Sequence, residues 1–178
     1  YRLVRAARAA GVRVSPVPGA CAFIAALSVA GLPSDRFVFE GFLPAKAGAR
    51  RERLQQLAAE PRTLAFYESA HRIEDALADM AAVFGGDRPA VLARELTKLF
   101  ETVRDGSLSD LHAFVGADPN QRKGEFVVLV HGVGEDADAR VAEGRRLYSK
   151  LSEHLPPSTA AKLAAELSGA PRKALYGS

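Results

Sequence analysis

Two short polar segments each bring together, close in sequence, several side chains that can take part in proton transfer. They are YESAHRI at residues 67–73 and RELTKLFE at residues 94–101. Carboxylates, an imidazole and an amine that lie close together can exchange a proton with a substrate hydroxyl, which is general acid–base chemistry. The candidate catalytic residues are therefore Glu95, Lys98 and His71.

Each polar segment follows a run of apolar, β-prone residues, Thr63 to Tyr67 in one case and Ala90 to Ala93 in the other. A strand that ends in charged residues places them at the carboxyl edge of a sheet, where open α/β sheets bind their ligands. The sequence therefore predicts one composite pocket, in which Tyr67, Glu95 and Gly124 lie on the ends of neighbouring strands.

Hydrophobic patterning predicts the elements that hold these segments in place. Ile73, Leu77, Met80 and Phe84 recur at helical spacing. Phe126 to Val130 is an apolar run, typical of a strand that is buried on both faces. Strands alternate with helices along the chain, which predicts an α/β fold with a mixed sheet and flanking helices.

The same patterning sets the predicted domain bounds. Residues 132–138 are rich in Gly and Asp and are typical of a linker, and only helices are predicted after them. We therefore expect an α/β domain over residues 1–132 and a small, all-helical appendage over residues 139–178. Three elements are expected near the start of the chain: a helix over residues 2–10 with Leu3 and Val4 on its inner face, a strand over residues 12–14, and a buried helix over residues 20–30.

Composition narrows the class of protein. The 178 residues carry a formal net charge of +3 and include one cysteine, which excludes an internal disulfide and fits a reducing compartment. The longest apolar run, Ala20 to Ala30, is shorter than the roughly 20 residues that a membrane-spanning helix needs. No cluster of Cys and His has the spacing of a metal site. We therefore expect a cytoplasmic protein with no membrane segment and no metal ion.

Further segments reveal a resemblance to a known family. They are PGAC at 18–21, GLPSDRF at 31–37, EGFLP at 40–44 and KGEF at 123–126. Together with the two polar segments, and in the same order along the chain, they resemble the ribosomal RNA small subunit methyltransferase I family, which shares the tetrapyrrole methylase fold. The resemblance implies S-adenosylmethionine-dependent methylation of the ribose 2′-oxygen of a cytidine in the decoding region of 16S rRNA.

The resemblance also implies which residues bind the cofactor. Candidates lie at a strand-to-helix turn, on the two polar segments and at the start of the last strand: Gly19, Ala20, Cys21, Tyr67, Glu68, Thr97, Gly124, Glu125 and Phe126. Tyr67 either covers the adenosyl group or fills the core. The general base stays open among Glu95, Lys98, Glu68 and His71, and Lys98 qualifies only if its surroundings lower its pKa. A plain alternative is that Arg94 and Glu95 form a structural ion pair.

Two basic groups are candidates for RNA binding, since cations near a polynucleotide supply sequence-independent affinity. The first lies before and within a predicted helix and consists of Lys46, Arg50, Arg51 and Arg53; the second lies in the tail and consists of Lys162, Arg172 and Lys173. The expected partners are 16S rRNA in the small ribosomal subunit and a second copy of the chain, which docks through the α/β domain. Each basic group is alternatively a solvated surface.

In the family, a preceding α/β domain contributes loops to the cofactor cleft. The chain begins at Tyr1 in what reads as the middle of an ordered region, so we expect residues 1–178 to correspond to the second domain and the tail, without the N-terminal domain. On this interpretation, the segment alone binds the cofactor weakly and is inactive. Two alternative functions remain: methylation of a tetrapyrrole, and a non-catalytic role in RNA binding or assembly.

Overall fold

The structure, a computed structural model, describes residues 1–133 and 137–175. Its helices and strands, in chain order, are α1 (Arg2–Ala9), α2 (Ala22–Val29), β1 (Phe37–Phe42), α3 (Ala47–Leu57), β2 (Thr63–Ser69), α4 (Ile73–Phe84), β3 (Pro89–Arg94), β4 (Thr102–Ser107), α5 (Leu108–Ala117), β5 (Glu125–Val130), α6 (Ala137–Ser152) and α7 (Pro157–Ser168). Short 3₁₀ turns cover Pro119–Arg122 and Arg172–Ala174.

The strands form one mixed sheet of five strands in the order β1-β2-β5-β3-β4, which confirms the predicted architecture. Among the strands of the described residues, only β1 and β2 pair in parallel, and β5 runs antiparallel to both β2 and β3. Because β5 opposes both of its neighbours, β2 and β3 point in the same direction. Their carboxyl ends therefore flank the amino end of β5.

The two faces of the sheet are covered by different helices. On one face, the predicted stripe of α4 is buried, with Ile73, Leu77 and Met80 fully enclosed between the sheet and helices α3 and α5. On the other face, α2 contributes Ala26 and Leu27 to a smaller cluster. The central strand β5 is covered on both faces, as its unbroken apolar run predicted.

The N-terminal segment packs less than expected. Helix α1 forms, but it contains no buried residue, and Leu3 is 83% exposed. The strand expected over residues 12–14 is not formed, and all of residues 8–22 are exposed. The predicted inner face of α1 is therefore wrong, because no neighbouring element lies against it in the described structure.

A buried ion cluster joins α3 to α4. Arg50 Nε and Arg51 Nε each lie 2.6 Å from a different carboxylate oxygen of Asp79. Burial alone would raise the pKa of Asp79, but the hydrogen bonds from Arg51 and Arg50 outweigh it and lower the pKa below its ordinary value. Arg50 is only 4% exposed. This corrects its assignment as an RNA contact, since its guanidinium lies inside the domain.

The tail has a hydrophobic cluster of its own. Ala164, Ala170 and Leu175 are buried there, and Leu147 and Leu151 of α6 pack against them. Helix α7 ends at Gly169, whose φ of 68° provides the left-handed C-cap that favours glycine. In the part of the chain that the structure describes, no helix is long and apolar enough to cross a membrane.

We predict that Asp79→Asn lowers the free energy of unfolding by about 3 kcal/mol at neutral pH, because it leaves the Arg50 guanidinium buried without a countercharge. Since folding lowers the pKa of Asp79, its contribution to stability is present above the unfolded pKa near 3.8 and is lost as the pH falls through the folded value. The difference between the two proteins should therefore shrink in acid.

Urea denaturation between pH 7 and pH 3 measures this difference. Arg51→Ala is the matched control, because its side chain is 61% exposed and the change should cost no more than about 1 kcal/mol. If Asp79→Asn and Arg51→Ala lowered the free energy of unfolding equally, burial of the Arg50–Asp79 pair would not determine its contribution to stability.

Candidate active site

The edge where β2 and β3 end and β5 begins encloses a pocket of about 630 Å³. Its walls come from both polar segments, from β5 and from α2 and β1: Ala22, Phe42, Tyr67, Glu68, Ser69, Ala70, His71, Ala93, Leu96, Gly124, Glu125, Phe126 and Val127. Its volume is typical of a site for a small molecule. The two polar segments therefore converge, as the sequence predicted.

Tyr67 belongs to an aromatic group on one wall of this pocket. Its ring lies 5.0 Å from that of Phe39 and 5.6 Å from that of Phe42, centroid to centroid. Phe23 of α2 stacks on Phe39 at 4.3 Å. Tyr67 thus packs against the sheet and lines the pocket at the same time, so both roles considered for it are compatible.

Glu68 is buried and held by a neighbouring arginine. Its Oε1 lies 2.7 Å from Arg72 Nη2 and accepts a hydrogen bond from the Ser69 amide at 2.8 Å. Its Oε2 is buried and has no hydrogen-bond partner among the described residues. Arg72 also donates to the Leu43 carbonyl at 3.1 Å, which ties the loop after β1 to the pocket. The sequence did not reveal this role of Arg72.

Arg94, at the end of β3, is also buried, and it connects two loops. Its guanidinium donates to the carbonyl oxygens of Asn120 at 2.7 Å, Lys123 at 3.4 Å and Phe100 at 3.4 Å, and to Thr102 Oγ1 at 3.2 Å. These hydrogen bonds therefore fix Arg94, and not the ion pair with Glu95 that the sequence offered as an alternative. The loop over residues 95–101 and the turn over residues 118–123 are fixed to one another through this cation.

Glu95, Lys98 and Glu125 form an ion cluster at the start of β5. Lys98 Nζ lies 2.9 Å from a carboxylate oxygen of each glutamate, and Glu95 Oε1 also accepts from the Glu125 amide at 2.8 Å. The hydrogen bonds from Lys98 and from the Glu125 amide lower the pKa of Glu95. The hydrogen bonds to both glutamates raise the pKa of Lys98, opposite to the shift that a lysine general base requires.

The backbone around this cluster adopts unusual conformations. Glu95 and Thr97 have φ values of 49° and 65°, in the left-handed region that non-glycine residues seldom adopt. Such conformations persist where the surrounding structure imposes them, commonly at functional sites. Gly124 has a φ of 102°, and a Cβ placed on it would lie 2.5 Å from Glu95 Cγ. Glycine is therefore required for the Glu95 side chain to cross the backbone there.

The pocket includes some predicted cofactor and catalytic residues and excludes others. Those that line it are Tyr67, Glu68, His71, Gly124, Glu125 and Phe126; those that do not are Gly19, Ala20, Cys21, Glu95, Thr97 and Lys98. Residues 19–21 are exposed, and it is the next residue, Ala22, that reaches the pocket. Glu95 instead lines an adjoining cavity on the far side of Gly124.

The basic candidates differ in accessibility. Lys46 is exposed before α3, whereas Arg53 donates two hydrogen bonds to Glu40 Oε2, at 2.9 and 2.7 Å. In the tail, Lys162 and Lys173 are exposed, and Arg172 Nη2 donates to the Ser158 carbonyl at 3.0 Å. Within residues 1–133 and 137–175, no group of three His, Cys, Asp or Glu side chains is placed to hold a metal ion.

Comparison with known families agrees with this geometry. Residues 1–112, more than half of the chain, match the family Tetrapyrrole (Corrin/Porphyrin) Methylases. The chain belongs to the tetrapyrrole methylase family. Residues 138–177 match a second description, the RsmI C-terminal HTH domain.

Three curated relatives of this chain carry the name ribosomal RNA small subunit methyltransferase I. The protein from Xylella fastidiosa strain 9a5c is 66% identical over 99% of the chain, and that from Pseudomonas aeruginosa is 57% identical over 99%. The relative from Escherichia coli O157:H7 is 52% identical over 99% of the chain. The chain spans 65%, 63% and 62% of the length of these three proteins.

Solved structures support the fold of the methylase chain. The methyltransferase CobJ superposes with a TM-score of 0.53 at 24% identity, covering 74% of this chain and 57% of that one. The cobalt precorrin-4 methyltransferase CbiF superposes with a TM-score of 0.54 at 18% identity, covering 73% of this chain and 56% of that one. At these identities the likeness shows the fold alone.

We predict that Gly124→Ala lowers the free energy of unfolding by about 1–3 kcal/mol, because a Cβ strains the backbone and displaces Glu95 from its contact with Lys98. The matched control is Gly48→Ala in α3, where a Cβ meets nothing within 4 Å. That change should stabilise the helix by about 0.5–1 kcal/mol. Chemical denaturation compares the two, and an unchanged Gly124→Ala midpoint would contradict the close approach.

Proposed function

We propose that this chain carries out S-adenosylmethionine-dependent methylation of the ribose 2′-oxygen of a cytidine in 16S rRNA, as part of a cytoplasmic enzyme. One observation carries the proposal: a pocket built from both polar segments lies in a chain that is 66% identical to a ribosomal RNA small subunit methyltransferase I. The helical tail supports an RNA substrate over a tetrapyrrole, because residues 138–177 match a domain described for RsmI. Homodimerisation through the α/β domain stays a prediction of the sequence.

The residues of the pocket fit S-adenosylmethionine, which would supply the methyl group as a sulfonium electrophile. Tyr67 and Phe42 line the pocket, and aromatic rings attract a cation such as a sulfonium. Glu68 Oε2, which has no partner among the described residues, leaves a hydrogen-bond acceptor for the hydroxyl that is to be methylated. Gly124 and Glu125 bring main-chain groups to the same wall. Residues of this chain can thus hold the cofactor and align the acceptor hydroxyl, and such positioning supplies much of the acceleration.

The geometry favours Glu68 as the group that accepts the proton from the ribose hydroxyl. Lys98 is protonated and bound to two carboxylates, and Glu95 already accepts hydrogen bonds from Lys98 and from the Glu125 amide. Glu68 has one oxygen anchored by Arg72 and the other unengaged, so it can accept a proton without losing its position. His71 lines the rim and is exposed, which makes it the second candidate.

We predict that Glu68→Gln in the complete protein containing residues 1–178 lowers kcat by about 10²–10⁴-fold, the usual contribution of a general base. The amide keeps a hydrogen bond to Arg72 but cannot accept a proton, so affinity for S-adenosylmethionine should change little. Methylation of small ribosomal subunits and calorimetry measure the two quantities.

His71→Gln is the matched control and should retain most of the activity. The opposite pattern, with Glu68→Gln active and His71→Gln inactive, would move the general base to His71. If both variants lose only cofactor affinity, the proposed role of Glu68 fails.

Lys162 and Lys173 are the exposed tail cations proposed to contact RNA phosphates. We predict that changing both to Ala lowers RNA affinity and reduces the slope of log affinity against log salt by about 0.7–0.9 for each lost contact. Arg172 is left intact, because its bond to Ser158 also supports the fold. Binding titrations between 50 and 200 mM salt provide the measurement.

The control removes the same charge from the sheet domain. Arg36 precedes β1 and Arg62 precedes β2, outside the tail that is proposed to contact RNA, so their replacement by Ala should leave the salt slope unchanged. Equal slopes for both double variants would place RNA recognition outside the tail, with Lys46 as the next candidate.

A further inference from the structure

A second cavity lies beside the proposed active site. It has a volume of about 370 Å³, and Gly124 lines both this cavity and the first pocket. Its walls come from the loop after β3 and from the turn before β5: Arg94, Glu95, Phe100, Asn120, Gln121, Lys123 and Gly124. The proposed methyl transfer makes no use of Phe100, Gln121 or Lys123.

Two polar atoms in the walls of this cavity are buried without a partner in the described structure. They are Arg94 Nε, a donor, and Gln121 Oε1, an acceptor. The Gln121 amide is oriented by its Nε2, which donates to Asp118 Oδ2 at 3.4 Å, so the oxygen is the atom left unpaired. An unsatisfied buried polar atom is costly and uncommon in a folded protein. A ligand that offers both an acceptor and a donor could satisfy the two atoms, and the edge of a nucleobase carries both kinds of group.

An aromatic ring stands at the same cavity. Phe100 is 68% exposed, although its carbonyl is held by Arg94 and its loop is further held by the Glu101 carboxylate, which accepts from the Thr97 amide at 2.6 Å. The exposed ring is thus presented from a fixed backbone. Aromatic side chains placed in this way stack on unpaired bases.

The charge at the cavity also suits a nucleotide. Arg94 brings a buried guanidinium, and Lys123 brings an ammonium whose position is set by its donation to Asn120 Oδ1 at 2.9 Å. Arg94 lies at the end of β3 and Lys123 in the turn before β5, and both residues line the cavity. Cations beside an aromatic ring are the combination with which proteins bind single-stranded nucleic acids.

We propose that this second cavity binds the RNA nucleotide next to the methylated one, with its base stacked on Phe100 and its polar edge contacting Arg94 Nε and Gln121 Oε1. Because both cavities share Gly124, adjacent nucleotides of one unpaired strand can enter them together. The proposal rests on the proposed function, since it assumes that the first pocket receives a ribose of RNA.

The test measures how tightly the complete protein binds a single-stranded RNA that contains the target cytidine. Phe100→Ala should weaken binding by about tenfold, the loss expected for one stacked base. Phe100→Tyr keeps the ring and should bind like the parent. Leu99→Ala is the matched control, because Leu99 lies on the same loop and is 89% exposed. Thermal melting of each variant verifies that it is folded.

A second RNA carries an abasic ribose beside the target cytidine, on the 5′ side in one version and on the 3′ side in another. With one of these two RNAs, the parent protein and Phe100→Ala should bind equally well, because the stacked base is missing. Gln121→Ala should likewise weaken binding of the intact RNA and have no effect on that abasic RNA.

Two outcomes would overturn the proposed subsite. In the first, Phe100→Ala binds intact RNA as tightly as Leu99→Ala does. In the second, Phe100→Ala loses affinity by the same factor on the intact RNA and on both abasic RNAs. Methyl transfer by the parent protein is measured in parallel and tests the proposed function separately. A parent protein that shows Phe100-dependent binding but methylates no RNA would overturn the proposed function and leave the binding site standing.

Discussion

The direction of β5 is the constraint on which the site depends. Because β5 runs against both of its neighbours, its first residues lie where β2 and β3 end. The two polar segments, which follow β2 and β3, therefore lie at the same edge as a third segment, Lys123 to Glu125, where β5 begins. A parallel β5 would bring the residues after Val130 to this edge instead. The pocket, the ion cluster of Glu95, Lys98 and Glu125, and the second cavity all depend on the antiparallel direction of β5.

Two guanidinium groups, those of the partly buried Arg72 and the buried Arg94, then stabilise the edge that the strands create. Arg72 binds the Glu68 carboxylate and a main-chain carbonyl, while Arg94 binds three carbonyls and a hydroxyl. A planar fork of donors can serve several acceptors at once, which a lysine ammonium does with much less geometric definition. The loops around the site are therefore fixed by hydrogen bonds more than by apolar packing, and they can expose Leu99 and Phe100 while remaining positioned.

Local patterns predicted most of the elements and the convergence of the two polar segments, since the stripe of α4 and the apolar run of β5 depend only on neighbours in sequence. They failed for the strand expected over residues 12–14, which is not formed. Pairings between distant residues were not predictable. Arg50 was assigned to RNA because its partner, Asp79, is 29 residues away and only the packing of α3 on α4 brings them together. Likewise, the one partner considered for Arg94 was Glu95, as an alternative, but the acceptors of Arg94 are mostly main-chain carbonyls, which have no sequence signature.

The binding of main-chain carbonyls by Arg94 determines which positions around the second cavity can vary among related proteins. Main-chain carbonyls are present whatever the side chain, so the bonds from Arg94 to residues 100, 120 and 123 would survive substitution at each of these positions. The backbone around the second cavity therefore keeps its conformation whichever side chains it carries at these positions. The nucleotide preference that we propose for this cavity could therefore change through those positions without altering the proposed methylation pocket.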